Sequence, residues 1–105
     1  MTFRDFYNNK VMASLEAIKY LNFFKSLHPG NAVEIRIPYV GAISCLKGVN
    51  HRRGTPPNVV EMSAETWLSL CNGEQRWEKL AEEGKIIHSG SLSDISAHFP
   101  LANFL

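Results

Sequence analysis

The stretch VEIRIPYVGAISC, which begins at Val33, places the strictest limit on what this chain can fold into. Val33, Ile35 and Ile37 alternate with charged residues, which is the two-residue period of a strand with one buried face. A second apolar run, AISCLKG, follows after a short turn that ends near Gly41. A connection this short joins two strands in antiparallel orientation. The sequence therefore predicts a hairpin, and apolar residues on both faces of the second run predict that this strand lies more centrally in the sheet.

A helix is predicted before this hairpin, from Lys10 to about His28. Apolar residues recur there at steps of three and four, which indicates one buried helix face. That predicted face consists of Val11, Leu15, Ile18, Leu21, Phe24 and Leu27, and Tyr20 and Phe23 widen it. Asn8 or Asn9 is a suitable N-cap, and the HPGN run that follows Leu27 ends the helix. We expect residues 1–9 to be loosely ordered.

The remaining chain supplies one more strand, two helices, a strand and a short helix. NVVEM, from Asn58, reads as a strand, and Ser63 is a good N-cap for the helix AETWLSLCN. A short helix from about Gln75 to Glu83 precedes the strand KIIHSG and the final helix DISAHF. This order predicts one domain over residues 1–105, with an α+β two-layer fold. We expect a mostly antiparallel sheet of about four to five strands, covered by helices on one side.

Charge and composition exclude several classes of function. The net charge of the 105 residues is +1, so we expect no nucleic-acid partner. No apolar run is long enough to span a membrane and the N-terminus has no signal-peptide core, which predicts a cytoplasmic protein without membrane insertion. The four histidines and two cysteines lack the spacing of metal ligands, and glycine-rich phosphate or dinucleotide motifs are absent, so we expect no metal and no cofactor. Cys45 lies in an apolar strand, which favours a buried thiol over a nucleophile, and we expect no enzymatic activity.

The loop HRRGTPPN is the candidate binding element of the sequence. Arg52 and Arg53 can grip a carboxylate or phosphate through two parallel hydrogen bonds, and Thr55 and Asn58 add a hydroxyl and an amide. Gly54 allows close approach of the backbone, and the two prolines set the loop geometry in advance. Arg53 is the preferred anchor because it adjoins the glycine. The alternative is architectural: the prolines shape a crossover between strands, Asn58 caps a turn, and one arginine pairs with a glutamate.

Several segments resemble the sterol carrier protein type-2 family. The unit TWLSLCNGEQRWEKLAEEGKIIHSG is similar to the second half of that family: a Leu-Leu helix, a glycine stop, a short amphipathic helix and a Gly-Lys strand closed by glycine. The matching residues are Trp67, Leu68, Leu70, Gly73, Trp77, Leu80, Ala81, Gly84, Lys85, Ile86, Ile87 and Gly90. The run from VEIRIP through HRRGTPPNVVEM to the end more closely resembles a small stand-alone bacterial branch of the family. The resemblance covers about residues 10–101.

This resemblance implies an apolar tunnel between sheet and helices that holds fatty acyl chains or sterols. The chain would then be a small binder of an apolar ligand, with the cationic loop as head-group anchor. The residues assigned to this site are Arg52, Arg53, Thr55 and Asn58 for the head group, and Trp67, Phe24 and Ile43 for the lining.

The resemblance also has a departure. Larger relatives continue with further helix after the last strand, whereas only DISAHFPLANFL remains here. The alternative function is therefore a non-enzymatic interaction or dimerisation module without a real lipid cavity. A protein partner or a second copy would then cover the apolar edge that the missing helix leaves.

Overall fold

The computed structural model describes residues 2–48 and 58–104. Arg52, Arg53 and Thr55, three of the four predicted head-group residues, lie outside the described residues. The elements are α1 (Phe3–Leu27), β1 (Val33–Ile37), β2 (Gly41–Cys45), β3 (Asn58–Met62), α2 (Ala64–Asn72), α3 (Trp77–Glu82) and β4 (Ile86–Ser89). Two 3₁₀ turns follow, at Ser96–His98 and Leu101–Phe104.

The first helix begins at Phe3, so the predicted start near Lys10 and the predicted N-cap at Asn8 or Asn9 are wrong. Thr2 and Asp5 form a capping box instead, in which each side chain accepts a hydrogen bond from the other residue's backbone N–H. These bonds satisfy donors that the first turn of a helix leaves without intrahelical partners. The helix consequently extends over 25 residues.

The buried face of α1 matches the predicted one only in part, because Leu21 and Phe24 are buried as predicted but other members of the predicted face are not. Its buried side chains belong to Ala17, Tyr20, Leu21 and Phe24. By contrast Val11, Leu15, Ile18 and Leu27, which the pattern assigned to the core, are between 38% and 57% exposed. A 25-residue helix is about 38 Å long, whereas a five-residue strand spans about 17 Å. The helix is therefore longer than the sheet against which it packs, and the molecule measures 50 × 26 × 26 Å.

The four strands form one mixed sheet in the order β2-β1-β3-β4. β1 is antiparallel to β2 and parallel to β3, and β3 is antiparallel to β4. The predicted α+β fold with a mostly antiparallel sheet is confirmed. The predicted central position of β2 is wrong, because β1 has strands on both sides and β2 lies at the edge. The Lys25 ammonium of α1 donates to the Ser44 carbonyl on this edge strand, with Nζ and O 3.0 Å apart.

The core lies between the helices and one face of the sheet. Ile35 of β1, Val60 of β3 and Leu80 of α3 are completely buried there. Trp67 donates its indole N–H to the Ala17 carbonyl at 3.1 Å, which joins α2 to α1 inside the core. Glu34 and Arg36 point to the opposite face of β1, where they form an ion pair and Arg36 is exposed.

Candidate functional site

A cleft of about 510 Å³ opens where β1 and β3 end. Four parts of the chain form its walls: one side of α1, the turn between β1 and β2, the junction of β3 with α2, and the start of β4. The lining residues are Lys10, Ala13, Ser14, Pro38, Tyr39, Val40, Glu61, Met62, Ser63, Ala64, Glu65, Lys85 and Ile87. The cleft therefore depends on the long α1, whose N-terminal half provides one wall.

The cleft combines an apolar surface with a few charged groups. Met62 is buried at its base, and Val40 and Ile87 add aliphatic surface. Lys85 contributes an exposed ammonium group, whose nitrogen lies 3.8 Å from the Glu83 carboxylate. Tyr39 stands at the rim with a fully exposed side chain and a left-handed backbone, at φ 66°. Mostly apolar walls with few polar groups are typical of small-molecule sites.

The predicted lining residues lie elsewhere, in the packed interior. Phe24 and Trp67 are both 0% exposed, and their rings meet edge to face with centroids 6.2 Å apart. Ile43 of β2 is half-buried and packs against the same core. A ligand would reach the first two residues only if the helices separated from the sheet. Their role in ligand binding stays a prediction, and the structure places them as core residues.

Asn58 is the one predicted head-group residue within the described chain, and it is only 3% exposed. Its amide nitrogen donates to the Ala32 carbonyl at 2.9 Å. Its amide oxygen accepts a hydrogen bond from the Leu92 N–H at 2.8 Å. These contacts give Asn58 a structural role like the one in the architectural alternative, and a head-group role stays a prediction. The second of these bonds places Leu92, from the segment after β4, beside Asn58.

Asn58 and the cleft lie at opposite ends of β3. The loop enters β3 at Asn58, whereas the cleft is lined by Met62 at the other end of the same strand. Four residue steps along a strand separate these positions by about 13 Å. A second cavity of about 250 Å³ lies at the Asn58 end. Its lining includes Val33, Lys47 and His98.

The thiols of Cys45 and Cys71 and the hydroxyl of Ser93 are not arranged for nucleophilic chemistry. Burial raises the pKa of the Cys45 thiol to about 12, and nearby Lys25 lowers it by a smaller amount. Burial also raises the pKa of Cys71. The Ser93 hydroxyl lies 2.7 Å from His88 Nδ1, but it donates its proton to the Gly90 carbonyl, also at 2.7 Å. That pair therefore fixes the turn after β4, with Nδ1 as the donor to Ser93.

Within residues 2–48 and 58–104, no cluster of three or more histidine, cysteine, aspartate or glutamate side chains is placed to hold a metal ion. In the same part of the chain, no helix has the length and apolarity needed to cross a membrane.

A mixed four-stranded sheet packed against helices, in this element order, defines an α+β domain. A family model described as "Bacterial SCP ortholog" matches residues 10–101, and the chain belongs to that family. No curated protein matches the chain significantly. The family assignment agrees with the resemblance found in the sequence, over the same residues.

Proposed function

We propose that this protein binds an apolar ligand with one polar end, such as a fatty acyl lipid or a sterol-like molecule, in the cleft at the end of the sheet. The observation that carries the proposal is the cleft itself: about 510 Å³ of open space, lined mostly by aliphatic groups. Membership of the bacterial SCP family supports it, because the family suggests lipid or sterol binding. No catalytic step is part of the proposal.

The apolar part of the ligand would lie against Ala13, Met62 and Ile87. Each methylene group removed from water contributes about 0.8 kcal/mol, which corresponds to about a fourfold gain in affinity. Lys85 at the rim would orient a carboxylate or phosphate through a charge-assisted hydrogen bond. Lys85 and Arg53, the anchor predicted from the sequence, are therefore alternative head-group ligands that single substitutions distinguish.

The test of the cleft is a titration of the full chain with a fluorescent C18 fatty acid. Ala13→Phe places a ring in the cleft, and we expect it to weaken binding at least tenfold. Asn22→Phe is the matched control, because Asn22 is exposed on the same helix and does not line the cleft. We expect its affinity to equal that of the wild type. Equal affinities for Ala13→Phe and the wild type would exclude the cleft as the binding site.

The head-group position is tested by neutralising one cation at a time. Lys85→Gln is expected to weaken the fatty acid about tenfold, in keeping with the loss of one charge-assisted hydrogen bond. Lys79→Gln, on α3 and outside the cleft, is the control. If Arg53→Ala weakens binding while Lys85→Gln does not, the head group lies at the loop. An affinity that does not change with acyl length would reject an apolar ligand altogether.

A further inference from the structure

Tyr39 combines two unfavourable features in the turn between β1 and β2. The residue is 108% exposed, so its ring buries none of its surface on the domain. Its backbone has φ 66°, in the left-handed region that a residue with a bulky side chain rarely adopts. An aromatic ring normally stabilises a fold by burying a large apolar area. Tyr39 therefore strains the backbone without packing against the domain.

The strain at Tyr39 follows from the type of turn. The Val40 N–H donates to the Ile37 carbonyl at 3.0 Å, so residues 37–40 form a four-residue turn. Pro38 fixes a negative φ at the second position, and φ is positive at the third, which together define a type II turn. The third position of such a turn favours glycine or asparagine. Glycine would relieve the backbone there, and this chain has tyrosine instead.

Leu46 has the same backbone conformation for a structural reason. Among the described residues, it is the other non-glycine residue with positive φ, at 62°. Its N–H donates to the His28 carbonyl at 2.8 Å, and its carbonyl accepts a hydrogen bond from the Ala32 N–H at 3.0 Å. Its side chain also packs against the core. The fold therefore accounts for Leu46, whereas the exposed ring of Tyr39 gives the described part of the chain no comparable packing.

The turn and the start of β4 border opposite sides of the cleft. Arg36 pairs with Glu61, and Glu61 pairs with Ile87, so the first and last of these residues lie two strand spacings apart, about 10 Å. Pro38 and Lys85 lie two residues beyond these two positions, and both line the cleft. A ligand that fills the cleft with its head group at Lys85 therefore extends its apolar part toward the turn.

We propose that Tyr39 is a ligand-contacting residue, whose ring covers the apolar part of the molecule bound in the cleft. The inference rests on the proposed function and adds to it a binding residue on the side opposite the head group. Rotation about the side-chain bonds of Tyr39 turns the ring from solvent onto the ligand, which removes apolar surface of both from water. The contact that compensates for a strained, exposed tyrosine is thus made only in the complex.

The first experiment measures both affinity and stability in Tyr39→Gly. Glycine relieves the left-handed backbone, so we expect the urea midpoint of the full chain to rise. The same change removes the ring, so the fluorescent C18 fatty acid should bind about fivefold more weakly. Tyr39→Phe keeps the ring and should bind with about the wild-type affinity. An unchanged affinity in Tyr39→Gly would overturn the proposal.

Leu46→Gly is the matched control for the first experiment. It relieves the same backbone conformation, but it removes a side chain that packs against the core, and Leu46 does not line the cleft. We therefore expect a lower urea midpoint and an unchanged affinity for the fatty acid. The two glycine variants should thus change stability in opposite directions. If Tyr39→Gly also lowers the urea midpoint, Tyr39 supports the fold and the proposal is wrong.

The second experiment detects the contact directly, through nitration of Tyr39 by tetranitromethane and peptide mass spectrometry. Saturating C18 fatty acid should slow nitration of Tyr39 about fivefold or more in the wild type, since a covered ring is less accessible. It should leave the rate unchanged in Ala13→Phe, whose cleft is filled. If the wild type binds the acid, Ala13→Phe blocks binding and nitration of Tyr39 is not slowed, this inference fails and the proposed function stands. If the wild type binds no fatty acid, both are rejected.

Discussion

Asn58 shows how one polar side chain holds distant parts of this chain together. Its two hydrogen bonds reach residues 26 and 34 positions away in the sequence, at Ala32 and Leu92. They connect the start of β3 to the segment before β1 and to the segment after β4. Since each bond satisfies a backbone group in a buried setting, removing the amide would leave both groups without partners.

We predict that Asn58→Ala lowers the free energy of unfolding by about 2–4 kcal/mol, because two hydrogen bonds are lost and two backbone groups stay unsatisfied. Urea denaturation followed by tryptophan fluorescence measures this change. Asn22→Ala, at an exposed position of α1, is the control and should change the value by less than about 0.5 kcal/mol. A loss under 1 kcal/mol for Asn58→Ala would show that water replaces the amide, and would make a binding role for Asn58 more attractive.

At the residue scale, sequence patterns identify the type of interaction better than its partner. The loop sequence predicts that Asn58 is either a head-group ligand or a turn cap. The hydrogen-bond partners that favour a structural role, Ala32 and Leu92, lie far from Asn58 in the sequence. Phe24 and Trp67 are both buried, and their predicted contact with a ligand stays a prediction. Whether such residues line a cavity or fill the core depends on how closely the helices approach the sheet, which the local pattern does not contain.

At the element scale, the sequence predicts where helices and strands occur. It predicts less well where each element begins and ends, and which strands pair in the sheet. The apolar pattern of α1 correctly predicts that Leu21 and Phe24 are buried, but it does not show that Leu15 and Ile18 are exposed. The capping box of Thr2 and Asp5 was present in the sequence, yet the polar residues after it suggested a later start. The position of β2 at the edge follows from the pairing of β1 with β3, which is a long-range contact.

The connection between α1 and β1 gives a prediction about a single glycine. Gly30 has φ +147°, and a Cβ atom there would overlap the Leu46 carbonyl. Leu46 also accepts a hydrogen bond from the Ala32 N–H at 3.0 Å, so it has little freedom to move. We predict that Gly30→Ala lowers the free energy of unfolding by at least about 2 kcal/mol.

The matched control for that prediction is Gly41→Ala, at the start of β2. A Cβ atom at Gly41 meets nothing within 4 Å. That substitution should leave stability unchanged or raise it by about 0.5–1 kcal/mol, since alanine has less conformational freedom in the unfolded chain. Denaturant titration of both variants provides the comparison. Equal stability of the two alanine variants would show that the Gly30 connection shifts at little cost.

At the scale of the whole molecule, the last segment of the chain packs against the end of the first helix. The imidazole rings of His28 and His98 lie 4.4 Å apart between centroids, and His98 also meets Phe24 edge-on at 5.8 Å. Burial lowers the pKa of His98 below its ordinary 6.5, and the neighbouring His28 lowers it further. Lys47 and Asp94 line the same cavity as His98. Proton binding at this contact is therefore coupled to the folding of the entire domain.

The direction of that coupling follows from which state binds the proton more tightly. Because the pKa of His98 is lower in the folded protein, the unfolded chain binds more protons between that lowered value and 6.5. Stability from this group is complete above pH 6.5 and falls as the pH decreases through the folded pKa. The pKa of Asp94 is also lowered, through its hydrogen bonds with Ser96, but its contribution is lost only below its ordinary 3.8. The two windows do not overlap between pH 5 and 7.

We predict that the free energy of unfolding decreases as the pH is lowered from 7.5 to 5, and that His98→Phe reduces this slope. Phenylalanine retains a ring against Phe24 but cannot bind a proton, so packing and titration are separated. Urea midpoints at half-unit steps of pH provide the measurement, and Lys79→Gln, an exposed change of one charge on α3, should retain the wild-type slope. An unchanged slope in His98→Phe would assign the acid sensitivity to another group. A reduced slope would show that proton binding by His98 accounts for part of the loss of stability in acid.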